Sequence, residues 1–366
     1  MPILSEIIHA LEQFAPPHLA EDWDNVGLMV GDPNWPVKRV LCALDINEQV
    51  VEEAIRLNAN CIVSHHPFIF KAIKRIDLSQ REGRMIQRLI SNQIAVYGMH
   101  TNYDVVEGGL NDYLAKGLGL TDIEILSVTH EEKLCKCIIY VPITHYEIVR
   151  QCIIDNNVRH IGNYKGCTFS CQGEGSFIPL KNSNPYLGKQ GEIEIVKECQ
   201  ISFLIEQHKV ATIMDAVKKV HPYEEVAYDV FLAQNILKQS GIGRVGSLKA
   251  PTGLEELIQK VKDFFDVSYV RVNSVENNTV KRIAICSGSG AQYIQEASQK
   301  ADVYITGDIK FHEAQRAKEL GLILIDVGHY ASEHKALQPI VDDILEHFDD
   351  CEVILSKVDG ETLMIR

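Results

Sequence analysis

The chain has 366 residues, 46% of them hydrophobic, which suffices for two domains or for one large domain carrying an insertion. Its 36 Lys and Arg stand against 50 Asp and Glu, a net charge of −14, so the surface taken as a whole repels phosphate backbones and nucleic acid is not an expected partner. Met1-Pro2-Ile3-Leu4-Ser5-Glu6 has no basic leader, no apolar run reaches membrane-spanning length, and the ten cysteines form no CxxC motif; the expectation is a cytoplasmic protein with buried thiols and no membrane association.

The pattern predicts an amphipathic helix over Leu4–Phe14, stopped by Pro16-Pro17, and then a polar segment, Glu21-Asp22-Trp23-Asp24-Asn25, leading into the short apolar stretch Val26–Val30. Strands and helices alternate from there: strand Val37–Asp45, helix Glu48–Leu57, strand Asn60–Ser64, helix Gly83–Ser91 and strand Ile94–Met99. Such alternation implies βαβ units in a mostly parallel sheet. Ligands of open α/β sheets gather beyond the carboxyl ends of the strands. Two of these ends carry chemistry: one runs into His65-His66-Pro67, the other into His100-Thr101-Asn102-Tyr103-Asp104. Neighbouring side chains on an extended chain point to opposite sides, so one metal takes both His65 and His66 only at a sharp turn, whereas two adjacent metals could take one each.

The middle of the chain has another order. Leu134–Val141 (strand), His145–Asn156 (helix), Thr168–Ile178 and Glu192–Glu206 (strands), Lys209–Val220 (helix) and Val226–Phe231 (strand) spell βαββαβ, the ferredoxin-like order. An inserted α+β domain at 129–235 is therefore expected, interrupting a discontinuous α/β domain made of 1–128 and 236–366. His221-Pro222-Tyr223-Glu224-Glu225 reads as a turn. Beyond the insertion the first pattern returns, with Lys38-Arg39-Val40-Leu41-Cys42 echoed by Lys281-Arg282-Ile283-Ala284-Ile285. The same register lays 58–72 on 301–315, setting His65 on Asp308, and the third strands pair His100 with His329 and Asp104 with Glu333. Both halves end a strand in His-x3-carboxylate, which predicts two pseudo-symmetric halves with their strand ends facing one cleft.

The strand ends thus collect His65, His66, Asp104, His329 and Glu333, with His100, Asp308 and His312 nearby. Imidazole with carboxylate suits zinc, manganese, iron or nickel. Five ligands exceed one open catalytic metal and fit two ions if a carboxylate bridges, leaving a site that welcomes an anionic or carbonyl oxygen. His100 and His312 are candidates for a general acid or for orienting a ligand, Asp308 for accepting a hydrogen bond from a ligating histidine or for capping a helix near Ile309, and Trp23 for walling the cleft or only packing. No Walker A pattern, Rossmann fingerprint or Gly-x-Ser-x-Gly elbow competes.

The segments Trp23-Asp24-Asn25, Ser64-His65-His66-Pro67, His100-Thr101-Asn102-Tyr103-Asp104, Thr306-Gly307-Asp308 and Gly328-His329-Tyr330-x2-Glu333 resemble the signatures of the Nif-three-like family, dinuclear-metal hexameric proteins often named GTP cyclohydrolase I type 2 homologues. The resemblance covers nearly the whole chain, and the insertion is similar to the trimer-forming CutA or PII-like domain of the longer bacterial members. It implies two divalent ions per chain, zinc first, with His66 and Asp104 on one, His65 and His329 on the other and Glu333 bridging. It also implies a toroidal homohexamer whose metal sites face an internal cavity capped by the inserted domains. The activity it implies is a metal-dependent hydrolase in which a metal-bound hydroxide attacks a small anionic or nucleotide substrate, such as the purine ring of GTP. Two other functions remain open: a phosphoester hydrolase, and a non-enzymatic metal-binding regulatory or scaffold hexamer.

Overall fold

The computed structural model describes residues 1–156, 158–274, 276 and 278–362; the end of the expected 236–366 segment, residues 363–366, lies outside the described residues. Its strands are, in chain order, β1 (Gly27–Val30), β2 (Arg39–Ala43), β3 (Cys61–Ser64), β4 (Ala95–Gly98), β5 (Thr121–Pro142), β6 (Thr168–Phe177), β7 (Glu194–Glu206), β8 (Tyr228–Gly253), β9 (Arg271–Val272), β10 (Thr279–Ile285), β11 (Val303–Thr306), β12 (Ile323–Asp326) and β13 (Glu352–Leu355). The chain divides into two compact units, Met1–His130 with Ser240–Arg366, and Glu131–Gln239. No helix among the described residues is long and apolar enough to cross a membrane.

The first unit is mixed α/β and carries two sheets. One runs β1-β4-β3-β2-β13, all parallel except β1; in the other, β10, β11 and β12 are parallel, with β8 and β9 antiparallel on the two flanks. Each sheet repeats one device: a short strand that precedes three parallel ones in the chain returns to pair antiparallel with the third. Strands β3, β4, β11 and β12 are buried at every position, as parallel strands covered on both faces must be. Alternate residues serve opposite faces. Val40, Cys61, Val63 and Tyr97 share a core with Ile283, Ile285, Val303, Ile305 and the helices Leu4–Phe14, Leu254–Phe265 and Gln338–His347. Leu41, Ile62 and Val96 pack instead on helices Glu48–Leu57 and Arg81–Ser91, and Ala284, Tyr304 and Leu324 on Ile294–Lys300 and Phe311–Glu319. Glu48–Leu57 starts where Asn47 accepts a hydrogen bond from Val50 N at 2.9 Å and stops at Asn58, whose φ of 51° is left-handed.

The second unit follows the chain order β5, helix Tyr146–Asp155, β6, β7, helix Val210–Val220, β8, with sheet order β6-β7-β5-β8. Cys135, Cys137, Ile139 and Val141 alternate inward from β5, and Cys199, Ile201, Phe203 and Ile205 from β7, onto Val149, Ile153, Ile213 and Val217. His221 fixes the turn after the second helix: Nε2 donates to Tyr140 O at 3.0 Å and Nδ1 accepts from Tyr223 N at 3.1 Å.

One buried ion pair ties the first unit together beneath its strand ends. Arg244 Nη2 donates to Asp112 Oδ2 at 2.7 Å and to Val106 O at 3.0 Å, while Nη1 donates to Gly241 O and Gly243 O at 2.8 Å. This clamps the segment just after Asp104 onto β8. Removing one member of such a pair leaves an uncompensated buried charge. Arg244→Met should therefore lower the unfolding free energy by about 3–5 kcal/mol in denaturant titration. Adding Asp112→Asn should recover part of the loss; an Arg244→Met protein as stable as wild type would contradict the assigned role.

Candidate metal centre

The chain bends where β3 ends. His65 N and His66 N donate to Ala43 O and Leu44 O at 3.2 and 2.9 Å, and Ser64 Oγ donates to His66 O at 2.8 Å, so the two rings stand side by side with centroids 5.2 Å apart. This is the sharp turn that lets adjacent histidines share a site. Asp104 comes from the short helix Thr101–Val105 after β4, and Glu333 from helix His329–His334 after β12, one turn beyond His329.

Four imidazoles surround the site, and in each Nδ1 faces an oxygen acceptor. His65 Nδ1 donates to Met99 O at 2.9 Å, His66 Nδ1 to Asp45 at 2.8 Å, His100 Nδ1 to Asp24 at 2.9 Å and His329 Nδ1 to Asp308 at 2.7 Å. Carbonyls and carboxylates only accept, so the Nδ1 proton is fixed and Nε2 is the atom left for a metal.

The Nε2 atoms meet two carboxylates without bonding them properly. His66 Nε2 and His329 Nε2 each lie 3.0 Å from Glu333 Oε2. His65 Nε2 lies 3.7 Å from Asp104 Oδ1 and 3.8 Å from Glu333 Oε1. Yet His65 Nε2, Asp104 Oδ1 and Glu333 Oε2 are buried atoms with no aligned hydrogen-bond partner. Polar atoms left so cost about 1–3 kcal/mol each, more when charged. A cation between them would satisfy all of them. Donors at ~2.0–2.2 Å from a zinc-like ion sit about 3–4 Å from one another, the spacing seen here. The ligand atoms of His66, His329 and Glu333 fall within 4.8 Å of one another, as do those of His65, His66 and His100. His66 thus belongs to both groups, and Glu333 lies within reach of His65, His66 and His329.

Electrostatics follow from this crowding. Burial pushes the Glu333 carboxyl upward, but the three imidazoles facing it hold it well below the usual carboxylate range. Burial opposes the charged form of His66, yet its hydrogen bond to Asp45 and the close Glu333 carboxylate lift it to about 10; His329, held beside Glu333 against the effect of burial, rises to about 9. Asp104 moves up, from burial and the nearby Glu333 carboxylate, against the pull of His65. Asp24, raised by burial, is brought down to about 2 by hydrogen bonds from His100 and Thr101. Two dications would be matched by the four carboxylates Asp45, Asp104, Asp308 and Glu333, so such a centre would have less surplus positive charge than Asp104 and Glu333 alone imply.

Two clefts open beside the cluster. One, of about 620 Å³, is lined by Trp23, His66, His100, Asp104, Tyr293 and Glu333; the other, of about 610 Å³, by Asp45, His66, Tyr269, Arg271, His329 and Tyr330. Trp23 walls the first, its ring 6.0 Å from that of His100. Asp308 bonds His329 and caps no helix, since the next helix starts at Phe311 behind Lys310. His312 is exposed, pairs its ring with Phe311 and lines neither cleft. Asp45, Asp24 and Gly288 were not singled out in the sequence. Asp45 closes an apolar strand pattern, and Asp24 sits in the Trp23-Asp24-Asn25 segment, which are the signals available. Gly288 has φ +56°, and a Cβ there would lie 2.2 Å from Glu333 Oε1, so only glycine lets the loop pass.

The sequence profile of the DUF34/NIF3 (NGG1p interacting factor 3) family matches residues 2–361, and the chain belongs to that family. It is 42% identical over 329 residues to a Bacillus subtilis protein named GTP cyclohydrolase 1 type 2 homolog, covering 90% of this chain and 88% of the relative. A Halalkalibacterium halodurans protein of the same name is 38% identical over 358 residues, 96% of each chain. Among solved structures, a Bacillus cereus protein related to NIF3 superposes with a TM-score of 0.82 at 38% identity, covering 100% of this chain and 99% of that one. A Staphylococcus aureus protein gives 0.78 at 30% identity with the same coverage.

The raised histidines give the metal-free protein a defined pH dependence. Their charged forms contribute stability that is fully present below their ordinary value of 6.5 and is lost as pH rises through 9 and 10. Chelator-treated protein should thus show a falling Tm across that range, while metal-loaded protein, whose Nε2 atoms carry no proton, should not. Identical pH profiles for the two forms would count against metal at these nitrogens.

Proposed function

We propose that this DUF34/NIF3 chain carries a centre for two divalent ions, zinc first among zinc, manganese, iron and nickel, and works as a metal-dependent hydrolase. The observation that carries the reading is the convergence of buried, unaligned His65 Nε2, Asp104 Oδ1 and Glu333 Oε2 within a donor set of imidazole and carboxylate. His66 and Asp104 would hold one ion, His65 and His329 the other, and Glu333 would serve both. Bound there, the ions would polarise a substrate oxygen and make a water more acidic.

The chain's own residues would do the rest. Asp24 keeps the His100 proton on Nδ1, leaving Nε2 free as an acceptor beside the cleft. His100 could take a proton there from the attacking water and return it to the leaving group. In opening the purine ring of GTP that group is a ring nitrogen. Trp23, 59% exposed, pairs with Phe70 at 5.9 Å and offers a flat apolar surface to a base. The relatives' name supports GTP as the first substrate to try.

The assembly we read is a cytoplasmic toroidal homohexamer. Residues 129–235 would be a ferredoxin-like insertion, and 1–128 with 236–366 two pseudo-symmetric halves. The sheet order β6-β7-β5-β8 supports the first, and the repeated set of three parallel strands with an antiparallel return supports the second. Ten free cysteines suit a reducing compartment.

The test is turnover of GTP and of a chromogenic phosphodiester by protein loaded with each candidate metal. Ring-opened product without phosphodiester cleavage is expected, and Asp24→Asn should slow it roughly 100-fold or more while retaining metal. Phosphodiester cleavage alone would move the assignment to a phosphoester hydrolase. A fully loaded protein inert toward both would favour the metal-binding scaffold.

A further inference from the structure

Among the described residues lining the two clefts, Arg271 is the one lysine or arginine. It stands in the cleft that His66 and His329 also line, and its place is fixed by the fold. β9 pairs antiparallel with β12, setting Arg271 opposite Asp326, the residue that ends β12 three positions before His329. Asp326 is 3% exposed and serves three partners. Its Oδ2 accepts from Arg271 Nη2 and, at 3.1 Å, from Ile309 N; its Oδ1 accepts from Gly328 N at 2.9 Å. One buried carboxylate therefore fixes the arginine, the turn that carries Asp308 and the turn that carries His329.

The Arg271 side chain remains 64% exposed. A guanidinium has five N–H donors in a planar fork, and Asp326 takes only part of that capacity. Acidic neighbours lining the same cleft are engaged as well, Asp45 by His66, Asp308 by His329 and Glu361 by Thr362 N. Two dications at the centre would be balanced by the carboxylates around them and would do little to select anions at a distance. Its neighbouring cleft, lined by Glu21, His100 and Glu296, contributes no lysine or arginine.

From this we infer that Arg271 anchors an oxyanion of the substrate, phosphate or carboxylate, in the cleft beside His66 and His329. The inference rests on the metal-centre reading and adds the side from which the substrate enters and the group it must carry. Arginine suits the task because its fork matches an oxyanion with two parallel hydrogen bonds, which a lysine does not.

The test compares wild type, Arg271→Gln and Arg271→Lys, each loaded with zinc and checked for metal content. Binding of inorganic phosphate and of malonate is then measured by calorimetry. Both variants should retain metal. At least one anion should bind about 10-fold or more weakly to Arg271→Gln, with Arg271→Lys in between, and the arm that weakens identifies the oxyanion. Unchanged affinities, or a wild type that binds neither anion, would overturn the anchor while leaving the metal centre standing. If Arg271→Gln fails to fold, Arg271→Lys decides, because it keeps the charge beside Asp326 and loses only the fork. If the wild type takes up no zinc, the metal reading fails, and the same comparison in metal-free protein decides the anchor.

Discussion

Four histidines converge on one site, and each gives its Nδ1 proton to an oxygen held elsewhere in the fold: Met99 O, Asp45, Asp24 and Asp308. The proposed metal binding depends on that constraint, because it leaves the Nε2 atoms for the interior of the site. Three of the acceptors follow the ends of β2, β4 and β11, and the fourth precedes β1. The tautomers are correct only when both sheets of the first unit are assembled. Glu333 then becomes the common neighbour of three imidazoles, and Gly288 is the residue small enough to run past it.

Much of this was legible in the sequence because parallel strands leave a strong trace. Buried on both faces, they appear as short apolar runs, and the residues just beyond them are where a site forms. His65, His66, Asp104, His329 and Glu333 could be picked out on that basis, helped by a His-x3-carboxylate that recurs in the second half of the chain. The helix Leu4–Phe14 lies where its periodicity puts it. Element starts were less sharp: Arg81–Ser91 begins before Gly83, and β7 begins at Glu194, after the expected Glu192. Capping and turn geometry set such edges, and periodicity does not record them.

The rest was hidden for a physical reason. Asp45 and Asp24 matter through hydrogen bonds to residues 21 and 76 positions away, and the local pattern around each does not name that partner. Arg271 sits in a two-residue strand that leaves no pattern to read. His312 follows the strand-end logic of β11 yet turns to solvent, since in the short helix Phe311–Glu319 only one face meets the core.

The most direct test is elemental analysis of untagged protein, wild type beside Glu333→Ala. Glu333 faces both groups of imidazoles, so about two equivalents of transition metal per chain are expected in the wild type and a loss of both in the variant. Full occupancy in Glu333→Ala, or a wild type that takes up no metal on reconstitution, would contradict the account.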